Sequence, residues 1–131
     1  MAIHKFLRSA LLGRPITIYG DGSQERDFTY VGDVVEATIR AATWDVEGEV
    51  MNIGNRKPIR LLELLDMISD LVGRELEVIF MEEQKGDVRV TFADISKARK
   101  LLGYKPNTRL EEGLEEELKW ISSIYLRERS E

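Results

Sequence analysis

Five stretches of the sequence place apolar residues at the three-to-four-residue spacing of an amphipathic helix. In chain order they predict an opening helix ended by Gly13 and Pro15, then helices over 34–43, 58–73 and 94–102, and a final helix after Thr108. The helix over 58–73 is the clearest, because its apolar residues form one stripe and Gly73 follows as a C-cap. We expect this stripe to be buried; its members are Leu61, Leu64, Leu65, Ile68, Leu71 and Val72.

The starts of three helices carry capping signals. Asp33 with Glu36, and Thr108 with Glu111, have the spacing of a capping box, and Asp94 precedes its helix as an N-cap. The helix over 34–43 is predicted to bury an apolar side made of Val34, Val35, Ile39, Ala42 and Trp44. The final helix is predicted to bury Leu110, Leu114, Leu118, Ile121 and Tyr125, with the acidic run at 115–117 left in solvent.

Strands are predicted where apolar and polar residues alternate, over 16–19, 50–54, 76–80 and 88–93. Asn52 is a polar side chain inside an apolar strand, so it either ties down a neighbouring loop or reaches a ligand. The elements together predict the α/β class, in an α+β arrangement of short strands and about five helices.

The segment after the first predicted strand concentrates candidate chemistry. Residues 20–23 read G-D-G-S and predict a turn, and 24–27 follow as an exposed connection that carries Arg26. A guanidinium on a loop pinned at both ends suits a phosphate, since its fork of donors matches two oxygens. The alternative is that Arg26 and Asp27 form an ordinary solvated pair on the surface.

Composition and charge narrow the function classes. A length of 131 residues with 43% hydrophobic residues is typical of one domain, here residues 1–131. The net charge of −5 without a basic block argues against nucleic acid or an anionic membrane as partner. No cysteine is present and His4 is the only histidine, so no thiolate or histidine-cluster metal site is expected. The opening helix contains Lys5 and Arg8 and is neither a signal peptide nor a membrane span, which predicts a cytoplasmic protein.

Two blocks of sequence resemble the nucleotide-sugar epimerase/dehydratase family, the extended short-chain dehydrogenases. The first is I-Y-G-D-G at 18–22 followed by Gln24, R-D-F at 26–28, Y-V at 30–31 and D-V at 33–34; the second is G-D-V at 86–88, A-D-I-S-K-A at 93–98, L-L-G-Y at 101–104 and Pro106. The resemblance implies that Arg26 contacts the diphosphate of a UDP- or dTDP-sugar and that Asp87 bonds the ribose.

The second block departs from the family pattern at Gln84, where the family usually has an arginine that adds a second diphosphate contact. An amide brings hydrogen bonds without charge, so Lys85 or Arg89 is the candidate substitute. Tyr19 is the candidate for packing near the base, with packing in the strand core as the alternative. Arg26, Tyr19, Asp87, Gln84 and Asn52 are therefore the predicted substrate-binding residues.

The resemblance covers only the C-terminal part of the family's proteins, which bind NAD through an N-terminal glycine-rich strand–turn–helix and use a tyrosine and a lysine four residues apart. This sequence has no such glycine pattern, and none of its tyrosines has a lysine four positions later. We expect a partial substrate-binding domain that lacks the N-terminal Rossmann domain, binds no NAD and is inactive alone. A stand-alone binding module and a self-associating structural remnant are the alternatives.

Removal of a partner sheet should leave apolar surface uncovered, so we expect a homodimer or larger oligomer. The predicted contact surfaces are the strand at 50–53 and the stripe that begins at Leu61, with Met51 and Ile53 in or near the interface.

Overall fold

The structure, a computed structural model that describes residues 2–125, is built from five helices and four short strands. The helices are α1 (Ala2–Leu12), α2 (Val31–Thr43), α3 (Leu61–Val72), α4 (Ser96–Leu102) and α5 (Leu110–Tyr125). The strands are β1 (Ile16–Tyr19), β2 (Glu25–Arg26), β3 (Ile59–Arg60) and β4 (Val78–Met81). The predicted α/β class is confirmed.

The strands form two separate pairs. β1 and β4 are parallel, with Ile16 opposite Val78 and Tyr19 opposite Met81. β2 and β3 are antiparallel, with Arg26 opposite Ile59, and Glu25 makes one further parallel bridge to Val90. The segment predicted as an exposed connection therefore contains a strand, and Arg26 lies in it.

The main core lies where α1, α3 and α5 pack around β1. Leu7, Leu64 and Ile121 are fully buried there, and the predicted α3 stripe is buried or partly buried. Gly73 ends α3 with a φ of 68°, the left-handed conformation expected of a C-cap glycine. A second, smaller cluster joins α2, α4 and Tyr104, and Met51 and Ile53 pack against it.

Two predictions about surface exposure are wrong. The α3 stripe was expected to contribute to an interface between copies, but α1 and α5 cover it, and Met51 and Ile53 pack in part against the second cluster. The side of α2 expected to be buried is exposed instead, at Val34, Val35, Ile39, Ala42 and Trp44. In α2 the buried residues are Asp33 and Ala37.

The predicted helix starts also shift. Tyr30 is the N-cap of α2, so Asp33 lies inside the first turn, where it accepts hydrogen bonds from the 107–108 segment. Thr108 likewise does not cap α5; its hydroxyl donates to Asp33, and the backbone N–H of Arg109 donates to Glu112 instead. Ile95 is the N-cap of α4, and Asp94 accepts the Ser96 N–H just outside it.

Two predicted strands do not form. Residues 50–54 are irregular, and Val50 is 85% exposed with no neighbouring strand to pair with in the described part of the chain. Residues 88–93 contribute only the single bridge at Val90. Period-two alternation describes an extended segment, but a strand also needs a partner for its backbone groups. Within 2–125, no helix combines the length and apolar character needed to cross a bilayer.

Candidate functional site

The candidate site lies where β1 and β4 end side by side. The backbone N–H of Gly20 donates to Met81 O at 2.9 Å, and the chain then turns through residues 20–23. Gly20 and Gly22 have φ angles of 82° and 79°, and a Cβ on Gly22 would lie 2.7 Å from the Leu62 side chain. Only glycine adopts this positive φ without strain and also lacks the Cβ that would clash with Leu62 at position 22. The turn leads into β2, which carries Arg26 and pairs with β3.

The turn is held by short polar contacts. Asp21 accepts hydrogen bonds from the N–H and hydroxyl of Ser23, and these bonds lower the pKa of its carboxyl. Gln24 Nε2 donates to Tyr19 O at 2.7 Å, which ties the end of β1 to the segment before β2.

Arg26 and Asp87, which come from the two resembling blocks, meet in an ion pair. Arg26 Nη2 lies 2.5 Å from Asp87 Oδ1 across 61 positions of sequence, and Nη1 donates to Glu25 O at 2.8 Å. Both side chains are partly exposed, at 20% for Arg26 and 34% for Asp87. A guanidinium has five N–H donors, and these two bonds use two of them.

The other predicted site residues divide by position. Gln84 shares the turn of Asp87, whose N–H donates to Gln84 O at 3.1 Å, and Tyr19 is 44% exposed at the end of β1. Tyr19, Gln84 and the ion pair therefore all lie at or after the C-terminal ends of β1 and β4. Asn52 is exposed in an irregular segment, so it is not the buried polar residue whose side chain would need to tie down a loop.

Asp27 and Thr91 lie next to the ion pair but were not among the predicted site residues. Asp27 accepts the backbone N–H groups of Arg56 and Lys57 and donates its own N–H to Thr91 Oγ1. The adjacency of Asp27 to Arg26 was the available signal. Its partners lie 29, 30 and 64 positions away, which no local pattern reveals.

A separate concave feature opens between the start of α1, the segment 28–31 and α5. It has a volume of about 630 Å³ and is lined mainly by apolar side chains, including Ile3, Phe28 and Trp120. His4 Nδ1 lies 3.4 Å from Glu117 Oε1 near its rim, where the predicted polar side of α1 faces α5. None of the predicted site residues lines this cavity.

Comparison with known proteins places the chain among nucleotide-sugar enzymes. Residues 1–54 match the NAD dependent epimerase/dehydratase family. A UDP-glucuronate 4-epimerase of Thermodesulfobacterium geofontis is 39% identical over 121 residues, which are 92% of this chain and 37% of that protein.

Two solved structures agree with this match. UDP-glucuronic acid 4-epimerase from Bacillus cereus, in complex with UDP-glucuronic acid and NAD, has a TM-score of 0.91 and 38% identity over 95% of this chain and 40% of its own. UDP-glucose 4-epimerase from Thermotoga maritima, with UDP-glucose, has a TM-score of 0.87 and 33% identity over 100% of this chain and 40% of its own. The chain therefore belongs to the NAD-dependent epimerase/dehydratase family and corresponds to a C-terminal portion that spans about two fifths of the relatives it matches.

Proposed function

We propose that this chain is the UDP-sugar-binding portion of a UDP-sugar 4-epimerase-like protein, with Arg26 on the diphosphate and Asp87 on the ribose. The observation that carries the proposal is the Arg26–Asp87 ion pair at the ends of β1 and β4. It brings together the two side chains to which the family resemblance assigns adjacent parts of one ligand.

The donor inventory of Arg26 supports the diphosphate role. A guanidinium has five N–H donors, and two of them are used by Asp87 and the Glu25 carbonyl, which leaves three. Three directed donors are enough for two phosphate oxygens. The hydrogen bond of Asp87 uses Oδ1, so Oδ2 is open to a ribose hydroxyl.

The surrounding residues have supporting roles in the same proposal. Arg89 lies beside β2, where its carbonyl accepts the Glu25 N–H, and it is our candidate for the second positive charge that Gln84 lacks. Gln84 offers an amide to a phosphate or ribose oxygen, and exposed Tyr19 packs against the base. Asn52 remains a predicted ligand contact for which the structure offers no supporting neighbour.

The base and location belong to the proposal as well. The epimerases compared above are named for UDP-glucuronate and UDP-glucose, so we restrict the ligand to a UDP-sugar and drop the dTDP alternative. A cytoplasmic location stays a prediction from the sequence.

The described residues do not fit NAD. Dinucleotide sites place the pyrophosphate at a helix N-terminus after a strand and a glycine turn. Here the glycine turn after β1 leads to the strand β2 rather than to a helix. We therefore propose that the chain alone neither binds NAD nor epimerises a UDP-sugar, although its relatives from Bacillus cereus were solved with NAD.

A second candidate role is self-association, which the exposed side of α2 favours. Val31, Val35 and Ile39 follow one another at four-residue spacing and are each half exposed or more, and together they form what we call the α2 outer face. An apolar face of this kind is a typical site of association. We propose that two copies meet there, in place of the interface through Met51 and Ile53 predicted from the sequence.

Calorimetric titration with UDP tests the binding role. Arg26→Ala should weaken UDP binding about ten- to 150-fold, the equivalent of about 1.5–3 kcal/mol for a hydrogen bond to a charged group. Arg99→Ala, which removes an exposed arginine of α4, is the matched control and should bind like the unmutated chain. Equal affinities of the Arg26→Ala and unmutated chains would contradict the phosphate role, and no binding by the unmutated chain would contradict the stand-alone site.

A further inference from the structure

Asp27 links three separate segments of the chain at the candidate site. Its backbone N–H donates to Thr91 Oγ1 at 3.0 Å. Its carboxylate accepts the backbone N–H of Arg56 at 3.1 Å through Oδ2 and that of Lys57 at 3.3 Å through Oδ1. One residue thus connects β2 to the turn at 55–57 and to the segment that follows Asp87.

Those two segments flank the strand that carries Arg26. On one side β3 pairs with β2, so that Arg26 lies opposite Ile59. On the other side Glu25 N donates to Arg89 O at 2.7 Å, and Thr91 N donates to Glu25 O at 3.1 Å. The first pairing is two residues long and the second is a single bridge at Val90, so both are too short to hold a strand by backbone bonds alone. Asp27, which directly follows β2, adds hydrogen bonds to both neighbouring segments.

The local backbone is shaped around the Asp27 carboxylate. Arg56 has a φ of 60°, which is uncommon for a residue with a side chain, and its N–H is the one that Asp27 accepts. A Cβ on Gly54 would lie 2.9 Å from Asp27 Oδ2 and 2.5 Å from Ala93 Cβ. The carboxylate is therefore packed against Gly54 as well as hydrogen-bonded.

We infer that Asp27 is a positioning residue that holds Arg26 for anion binding and does not itself touch the ligand. It fixes the strand from which the guanidinium extends, while Asp87 fixes the guanidinium. This inference rests on the proposed function, because it assigns Asp27 a part in the same site. Thr91 shares the role through its hydroxyl, which accepts the Asp27 N–H.

The test compares UDP with uridine, since only UDP presents phosphates to Arg26. We expect Asp27→Ala to weaken UDP binding roughly tenfold, the size of effect for a lost hydrogen bond to a charged group. Thr91→Val removes a neutral hydrogen bond and should weaken UDP binding about two- to tenfold, and neither variant should change uridine binding. Thr91→Ser keeps the hydroxyl and should restore UDP affinity. Asp94→Ala is the matched control, because Asp94 also accepts a backbone N–H but ties only the start of α4.

A nuclear magnetic resonance measurement separates this inference from the proposed function. In the ligand-free chain, the Nε–Hε signal of Arg26 should shift and broaden in Asp27→Ala and Thr91→Val, and recover in Thr91→Ser. If Arg26→Ala binds UDP normally, the proposed function fails, but this signal still reports whether Asp27 orders Arg26.

Three results would overturn the inference: an unchanged Arg26 signal in both variants, equal losses for uridine and UDP, or no recovery in Thr91→Ser. Urea unfolding identifies any variant that fails to fold. If Asp27→Ala does not fold, Thr91→Val and Thr91→Ser decide the matter, because they alter one hydroxyl at the edge of the site.

Discussion

Tyr104 is a buried side chain that contacts the candidate site indirectly, through Gly54. It is 2% exposed, and its hydroxyl donates to Gly54 O at 3.1 Å. Gly54 in turn lies against Asp27, the neighbour of Arg26. Burial raises the pKa of the Tyr104 hydroxyl, and the negative charges of Asp33, Asp27 and Glu36 raise it further.

Tyr104→Phe should therefore change how stability depends on pH. At neutral pH the variant should lose about 1 kcal/mol, the net value of one hydrogen bond. Because the folded-state pKa is raised above the ordinary value of 10.0, the stabilisation from neutral Tyr104 is complete below pH 10 and is lost as pH rises through the folded pKa. The stability gap between the two proteins should thus shrink above pH 10, as measured by urea unfolding from pH 7 to 11.

The difference in stability between the two proteins is the quantity to follow, because every other residue is the same in both. A gap that stays constant to pH 11 would contradict the buried, neutral Tyr104.

At the scale of residues, sequence could predict which side chains matter more readily than what they touch. Arg26 and Asp87 were identified through two separate blocks, and the structure places them in contact. The ties of Asp27 to Arg56 and Thr91 depend on turns that bring distant backbone groups together, and no periodicity encodes them. Asn52 stood out only as a polar residue in an expected strand, and that strand does not form.

At the scale of elements, Asp33 joins two helices that are far apart in sequence. Its buried carboxylate in α2 accepts the N–H groups of Asn107 and Thr108 and the hydroxyl of Thr108, all just before α5. These bonds satisfy backbone donors of the segment that leads into α5. The carboxylate therefore sets how α5 follows the segment at 104–108.

Asp33→Ala should lower the free energy of unfolding by about 2–3 kcal/mol, because it leaves two partly buried N–H groups without an acceptor. Equilibrium unfolding in urea measures this loss. Asp45→Ala changes an exposed aspartate just after α2 and should stay within about 0.5 kcal/mol of the unmutated chain. If the loss of unfolding free energy in Asp33→Ala is no larger than in this control, water must accept the two N–H groups in place of the carboxylate.

Element prediction succeeded where local signals and tertiary packing agreed. α3 carries a continuous apolar stripe and a glycine C-cap, and both appear as predicted. The capping-box spacing at Asp33 and Thr108 was misleading, because the two side chains bond each other across the fold instead of their own helix ends. Strand prediction failed at 50–54 and 88–93, since alternation does not supply a neighbouring strand.

At the scale of the whole molecule, apolar surface is unevenly distributed. The main core is well covered by three helices, whereas the α2 outer face is not, with Val31 at 67% and Ile39 at 57% exposure. Burying such side chains is favourable by roughly 25 cal/mol per Å² of apolar area. Part of the free energy available for association therefore lies on this helix, and further exposed apolar side chains lie on β4 and in residues 88–92.

We expect light scattering to show a dimer whose interface exceeds about 1,000 Å². Replacing Val35 and Ile39 together by aspartate should give a monomer, because it places two charges in the proposed interface. Ala41→Asp, on another side of the same helix, is the control and should remain dimeric. A monomer across a hundredfold dilution of the unmutated chain would rule out this use of the α2 outer face.

The Arg26–Asp87 pair joins residues that are synthesised at different times, because 61 positions of sequence separate them. Ribosomes add about 5–20 residues per second, so Asp87 is made roughly 3–12 seconds after Arg26. During that interval β1 has no parallel partner, because β4 lies in the same late stretch of chain. An anion therefore cannot meet a formed site on the nascent chain, and a factor that binds exposed apolar segments would have those seconds in which to act.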